Sequence, residues 1–373
     1  MITSDLIIIL VNKFIIVSKK IKINFILPFK PRRPAGGFRV MYEYANRLYE
    51  RGYDVHLTYP IRTKFMKYRF PYFIRRLLSI IEGFHTSMWF TFHKGITMSY
   101  VSQIEDKYVS DADIVIATWW STVLDMGGLS PSKGKKINLI QGFENWEGHE
   151  DLLYTSYDIK DTTNVVVASY LGDIVKNHTN NPIVLINNGV NGEVFYLKND
   201  ISQRSPSTVA MVYSEQEIKG SKYGLEALEI AKEKITDLQV ELFGVYPEPE
   251  RLPSWIKYYR NPDDLAALYN RNAIFISNSF TEGFGLVSIE AMFCGCAVVA
   301  TDIMGHRNFC IEGETALLVE PGNSQQMADK IYYLIKNDSE RIKIAERANE
   351  YVQRFKWENA VSKMDSVIKK LLE

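Results

Sequence analysis

Cysteine is scarce in this 373-residue chain: Cys294, Cys296 and Cys310 are its only three. An odd, small number argues against a disulfide framework and fits a reducing compartment. Cys294-Gly-Cys296 lacks metal-ligand spacing, and no histidine-rich segment follows it, so these thiols read as small core filler. Net charge is absent too: 44 Lys and Arg balance 44 Asp and Glu. No global basic field points to nucleic acid. No apolar run reaches the ~20 residues of a membrane span. The opening stretch MITSDLIIILVNKFIIVSKK breaks at Asn12 and Lys13. It has neither the basic start nor the small-residue cleavage site of a signal peptide, so a cytoplasmic location is expected. It reads as an interfacial anchor, an extra strand, or the product of a start codon placed too early, because a well-formed first strand begins only at Lys22.

What the chain does contain is alternation. KINFILPF, from Lys22, is a short apolar run of the kind that forms a buried parallel strand. A Pro/Arg/Gly loop follows, then apolar residues at helical spacing, a stop at Gly52, and a strand at Val55 to Tyr59. This strand–glycine loop–helix–strand unit opens an α/β sheet. DADIVIATWW, INLIQGF, NVVVASY and IVLINNGVN supply further strands. The polar, turn-rich YLKNDISQRSPST reads as a linker. After it the alternation restarts: VAMVYS, GSKYGLEALEIAKEKI, QVELFG, PDDLAALYNRN, AIFISNS, a helix ending at Phe293, AVVATD and SQQMADKIYYLIKN. The expected fold is α/β, with two Rossmann-like domains facing each other across a cleft. Residues 1–195 form the first (1–21 as a possible extension) and 208–345 the second. A terminal helix, 346–373, is expected to cross back to the first.

In open α/β sheets ligands sit beyond the carboxyl ends of the strands, so a cleft between two such ends is where chemistry belongs. FTEGFGLVSIEAMFCGCAVVATD marks one such end. Gly283 and Gly285 let backbone approach a ligand. A helix beginning near Leu286 offers unpaired N–H groups to phosphate. Carboxylates do not bind phosphate, but they accept from vicinal hydroxyls. Glu282 before the turn and Glu290 inside the helix therefore suit a diphosphate with a sugar at each end, a nucleotide-sugar. The bland reading makes Glu282 a helix cap and Glu290 the partner of a surface cation.

EGFGLVSIE resembles the Glu-x7-Glu signature of retaining glycosyltransferases of family 4, which have the GT-B fold. The surrounding SNSFTEGFGLVSIEAMFCGCAVVATDIMGHRN and IEGETALLVEPGN agree with it. So do GG after the first strand, ANRLYERGYDV, NNGVN, Lys219-Gly220 and ELFG. The resemblance implies that Glu282 touches donor-sugar hydroxyls and Glu290 the ribose. It implies that backbone at Phe284, Gly285, Leu286 and Val287 meets sugar and diphosphate. Lys219 would neutralise the leaving diphosphate, and Gly36 and Gly37 would approach it from the other domain. Three positions depart from the family. Tyr213 and Ser214 stand where an arginine is common, with Arg32, Arg33 and Arg39 as candidate substitutes. Gln141 stands where many relatives have a histidine facing the donor sugar; with Glu144 and Trp146 it is a candidate catalytic group for donor or acceptor hydroxyls, or else it merely ends a strand. Asn308 stands where an acid is frequent, and the preceding His306 either reaches the site or closes a turn.

Stabilising the departing diphosphate oxygens with amides and a cation would weaken the glycosidic bond, leaving positive charge on the sugar ring. The resemblance favours front-face attack, with the leaving phosphate helping to deprotonate the acceptor. Asp111-Ala-Asp113 precedes its strand, the wrong side for a catalytic metal, so metal-independent transfer without a cofactor is expected. From Ile61 to Lys94 the chain is rich in Lys, Arg and aromatics, with Glu82 as its one acid. Such a stretch suits an anionic membrane surface, or else packs as helices with a solvated rim. The first implies peripheral contact with the inner face of the plasma membrane and a glycan or lipid-linked acceptor. The competing readings are a catalytically silent GT-B partner subunit and a sugar-nucleotide epimerase.

Overall fold

A computed structural model describes residues 20–67, 69–84, 89–145 and 148–373. The expected opening extension and Trp146 lie outside these residues, apart from Lys20 and Ile21. The first half is a seven-stranded parallel sheet in the order β3-β2-β1-β4-β5-β6-β7. Its strands are β1 Lys22–Ile26, β2 Asp54–Pro60, β3 Thr97–Val101, β4 Ile114–Ala117, β5 Lys135–Ile140, β6 Thr162–Val166 and β7 Ile183–Leu185. The second is a six-stranded parallel sheet in the order β10-β9-β8-β11-β12-β13. It comprises β8 Thr208–Val212, β9 Gln239–Gly244, β10 Ile256–Arg260, β11 Ile274–Ser277, β12 Ala297–Thr301 and β13 Ala316–Val319. Burial explains the composition of the inner strands. Every residue of β4, β11 and β12 is buried, as a parallel strand covered on both faces requires.

Strand order reverses between β1 and β4 in the first sheet, and between β8 and β11 in the second. Loops leaving these strands diverge to opposite faces and open a crevice at their carboxyl ends. That places the loops after β1, β4, β8 and β11 around one gap. The helix after β1, α1 (Gly36–Glu50), buries Val40, Met41, Tyr44, Ala45 and Leu48 against its sheet. The next helices are α2 Tyr72–Phe84, α3 Trp120–Gly127, α4 Glu150–Tyr157 and α5 Ser169–Val175. In the second half lie α6 Ser221–Lys234, α7 Leu265–Arg271, α8 Leu286–Phe293, α9 Ser324–Lys336 and α10 Asp338–Val352. The structure is GT-B in architecture, two Rossmann-like α/β domains across a cleft.

The last helix, α11 (Trp357–Leu372), returns to the first half. Tyr53 donates to Asp365 at 2.7 Å and Arg51 to Ser362 at 2.7 Å. Trp357, 3% exposed, meets the Tyr44 ring edge-on at a centroid separation of 5.1 Å. A Cβ on Gly189 would stand 2.5 Å from Trp357 Cα, so only glycine lets the chain pass this close. Trp357→Ala is predicted to cost about 3–5 kcal/mol in guanidinium unfolding, the range for emptying a buried aromatic site. A loss below about 1 kcal/mol would mean that the docking of α11 does not depend on this ring.

Candidate active site

The turn between β11 and α8 is built on a buried histidine. His306 is fully buried; its Nδ1 lies 2.8 Å from the Thr301 carbonyl and its Nε2 3.3 Å from Ser277 Oγ. Burial holds the imidazole below its ordinary range, against smaller opposing contributions from Thr301 and Glu282. Gly285 (φ 85°) sits directly over the ring, and a Cβ there would fall 2.8 Å from His306 Cδ2. Of the two roles open to His306 from sequence, the structure selects support of the turn. Phe284 anchors the same turn from below, 5.7 Å from Phe309 and 5.6 Å from Phe355. Its side chain belongs to the core.

Glu282 is ion-paired. Its Oε1 accepts from Lys219 Nζ at 2.6 Å and from Ser279 Oγ at 2.8 Å. Burial is the largest single influence and would raise its pKa, but Lys219, His306 and Ser279 together outweigh it, and the carboxyl is held below its ordinary value. Lys219 reaches this spot because the loop after β8 is laced to the loop after β11. Asn278 Nδ2 donates to the Lys219 carbonyl at 2.7 Å, and Phe280 N to the Ile218 carbonyl at 2.8 Å. Gly220, at φ 61°, allows the contact: a Cβ there would lie 2.1 Å from the Asn278 carbonyl oxygen.

Glu290 lies one turn into α8, 5% exposed, and accepts from Arg39 Nη1 at 3.2 Å. Burial raises its pKa; Arg39 opposes this and Glu43 adds to it, leaving a net increase. Arg39 stands in the first turn of α1, so this ion pair joins the two halves. Other contacts join them too. Tyr170 donates to the Glu282 carbonyl at 3.0 Å, and Ser169 N to Asn308 Oδ1 at 3.2 Å. The place a Gly283 Cβ would occupy is 1.7 Å from the Gln141 carbonyl oxygen, and that of Gly36 is 3.9 Å from Leu286 Cδ1. The amino ends of α1 and α8 thus approach one another, both offering unpaired N–H groups.

Gln141 follows β5. Its Nε2 donates to the Gly37 carbonyl at 3.1 Å and to Thr118 Oγ1 at 3.0 Å. Both amide hydrogens are therefore committed within the first half, and its Oε1 lies 3.5 Å from where a Gly37 Cβ would be. Gly36 and Leu286, Gly37 and Gln141, Lys219 and Glu282, and Arg39 and Glu290 thus stand in pairs where the halves meet, Gly285 precedes α8 in the same turn, and Val287 is half-buried in its first turn. At the positions where the family pattern has arginine, Tyr213 meets the Tyr258 ring at 6.0 Å and Ser214 N donates to Ser221 Oγ at 2.9 Å. Asp111 and Asp113 lie at the amino ends of the strands. There Asp113 accepts from Lys22 N at 2.8 Å and Asp111 from Lys133 Nζ at 2.7 Å. They line a cavity of about 830 Å³ at the end of the sheet opposite the gap. Among the described residues no three His, Cys, Asp or Glu side chains converge as a metal site.

The structure adds one aromatic group that sequence did not single out. Trp119 takes φ 74°, ψ 120° at the start of α3, a strained backbone for a tryptophan. Its ring lies 5.6 Å from Phe29, which lies 5.0 Å from Phe38, making an aromatic wall beside Gln141's partner Thr118. No spacing in the sequence announced it. Glu144 accepts from Trp120 N at 2.9 Å, capping α3. Burial pushes its carboxyl from 4.5 up to about 7, the Trp120 amide opposing. The folded protein keeps this proton where the unfolded chain has lost it. Stability conferred at low pH is therefore lost as pH rises from 4.5 through about 7. Glu144→Gln should gain melting temperature over the parent as pH is raised from about 5 to about 8. A difference that stays flat with pH would show that Glu144 titrates normally.

Residues 198–351 match the family model of glycosyl transferases group 1. A D-inositol 3-phosphate glycosyltransferase of Corynebacterium urealyticum is 35% identical over 112 residues, 30% of this chain and 26% of that protein. A phosphatidyl-myo-inositol mannosyltransferase of Mycobacterium leprae is 30% identical over 155 residues, 39% of this chain and 41% of that protein. These alignments span less than half of the curated relatives. Over the whole fold, HepE of Anabaena, solved in complex with UDP, superposes with a TM-score of 0.71 at 15% identity. That match covers 94% of this chain and 100% of HepE. The match to glycosyl transferases group 1 thus falls on the half that carries Lys219, Glu282 and Glu290.

Proposed function

We propose that this protein is a retaining, metal-independent glycosyltransferase that moves a hexose-type sugar from a nucleotide-diphosphate donor to a glycan or lipid-linked acceptor. The observation that carries the reading is the pair of carboxylates on either side of the α8 amino end. Glu282 is paired with Lys219 at 2.6 Å, and Glu290 with Arg39 at 3.2 Å. The match to glycosyl transferases group 1 over residues 198–351 supports it.

In this reading the diphosphate rests on the N–H groups of Leu286 and Val287, with Gly36 and Gly37 closing from the other side. Oxygens that gain charge as the glycosidic bond breaks meet fixed dipoles and the Lys219 ammonium. Glu282, ionised beside that ammonium, orients the sugar hydroxyls, while Glu290 holds the ribose. Gln141 presents its amide oxygen to the sugar. The acceptor hydroxyl enters on the face the diphosphate leaves, and a departing phosphate oxygen takes its proton. Asp111 and Asp113, at the opposite end of the sheet, have no part in this.

A membrane-borne acceptor is supported by α2. Phe73 is 71% exposed, Leu77 59%, Ile80 50% and Ile81 44%, at spacings that share one helical face. Exposed Lys64, Lys67, Arg69 and Arg76 accompany this stripe. Apolar area with basic neighbours suits the surface of an anionic bilayer. Among the described residues no helix is long and apolar enough to cross a membrane. The enzyme would then work as a peripheral protein on the cytoplasmic face.

Glu290→Ala should weaken binding of the bare nucleoside diphosphate by about tenfold, the loss of one or two hydroxyl contacts. Glu282→Ala should depress transfer far more than nucleotide binding. Calorimetry set beside turnover separates them, and equal effects on both quantities would remove the assigned roles. Wild-type protein that binds nucleotide yet turns over no donor would instead favour a silent partner subunit. Phe73→Glu with Leu77→Glu should abolish sedimentation with phosphatidylglycerol vesicles. Unchanged sedimentation would exclude α2 as the contact.

A further inference from the structure

Among the described residues, two ion pairs stand where the halves meet, Lys219 with Glu282 and Arg39 with Glu290. Arg39 and Glu290 form the pair that bridges the halves, and its members are unequally placed: the Arg39 side chain is 38% exposed, the Glu290 side chain 7%. The carboxylate is fixed in α8, whereas the guanidinium faces open space. Arg39 has a second hold, because its guanidinium carbon lies 5.7 Å from the centre of the Phe195 ring. That contact would keep the guanidinium in the gap after Glu290 let go. Glu43, one turn further along α1, is already paired with Arg47 at 3.2 Å. Gly36 and Gly37, in the same first turn as Arg39, face Leu286 and Gln141.

We infer that Arg39 exchanges partners when donor binds, releasing Glu290 to the ribose hydroxyls and turning its guanidinium to the adjacent diphosphate. The inference rests on the donor reading given above and adds a gripping residue from the opposing domain. The exchange conserves contacts. The buried carboxylate trades a guanidinium for hydroxyl donors, and the guanidinium trades a carboxylate for phosphate oxygens, which its planar fork fits equally well. Because Arg39 belongs to one half and Glu290 to the other, the diphosphate then bridges the two domains, and donor binding and closure become one event.

The test is titration calorimetry of the full chain with UDP, GDP and ADP and with the corresponding nucleosides, comparing wild type with Arg39→Gln. For whichever diphosphate binds, the variant should lose about tenfold or more in affinity. Affinity for the nucleoside should hold or rise, since Glu290 is freed. Arg39→Met, which keeps the stem over Phe195, carries the same expectation should the amide variant not melt cooperatively. A variant that binds the diphosphate as tightly as wild type, or more tightly, would overturn the inference, reducing Arg39 to a lock on Glu290. Wild-type protein that melts cooperatively and binds none of the three diphosphates would remove the donor reading, and this inference with it.

Discussion

Two backbones meet where no side chain fits. The Gln141 carbonyl of one half stands 1.7 Å from where a Gly283 Cβ of the other would be. This approach brings the glycine turn before α8 against the loop after β5, and with it every charged group of the site. A methyl group there would push the halves apart, because both atoms concerned are main chain. Much of the surrounding structure holds these two loops in place. His306 and Phe284 fix the turn from beneath, Asn278 ties it to Lys219, and Gln141 is fastened to Gly37 and Thr118.

The electrostatics follow from that closeness. A chain with no net charge brings the buried Glu290, the half-buried Glu282, their partners Arg39 and Lys219, and two helix amino ends together where the halves meet. Pairing resolves what would otherwise be a costly burial of charge. The two carboxylates differ nonetheless. Lys219 at 2.6 Å, His306 and Ser279 together outweigh burial at Glu282, while burial prevails at Glu290, whose partner is at 3.2 Å and whose neighbour Glu43 is acidic. One is therefore the more committed anion, the other the more easily neutralised.

Much of the fold was legible because central parallel strands are buried on both faces and read as unbroken apolar runs, as at β4, β11 and β12. The edges were not. β10 (IKYYR) carries charges because its outer side meets solvent, and β13 is a short segment in a turn-rich stretch. Strand β3 (TMSYV) was missed because only Val101 in it is buried, whereas α2 was open to two readings because its exposed Phe and Leu share one face. At the site, glycines and glutamates were legible because close approach and carboxylate chemistry each demand one residue type. Partnerships were not. Arg39 could be named as a candidate cation, but its engagement with Glu290, 251 residues away, is a product of how the domains meet. His306 was ambiguous because the same residue serves a floor or a ligand contact, and only burial distinguishes them. The strain at Trp119 left no trace in composition.

The most direct measurement is a crystal structure of the protein with its nucleoside diphosphate bound. The diphosphate should accept from the N–H groups at the start of α8, beside Lys219, with ribose hydroxyls on Glu290 and the halves still in contact at Gly283. A nucleotide found instead in the cavity lined by Lys22, Asp113 and Lys135, with both glutamates still holding their cations, would contradict that placement.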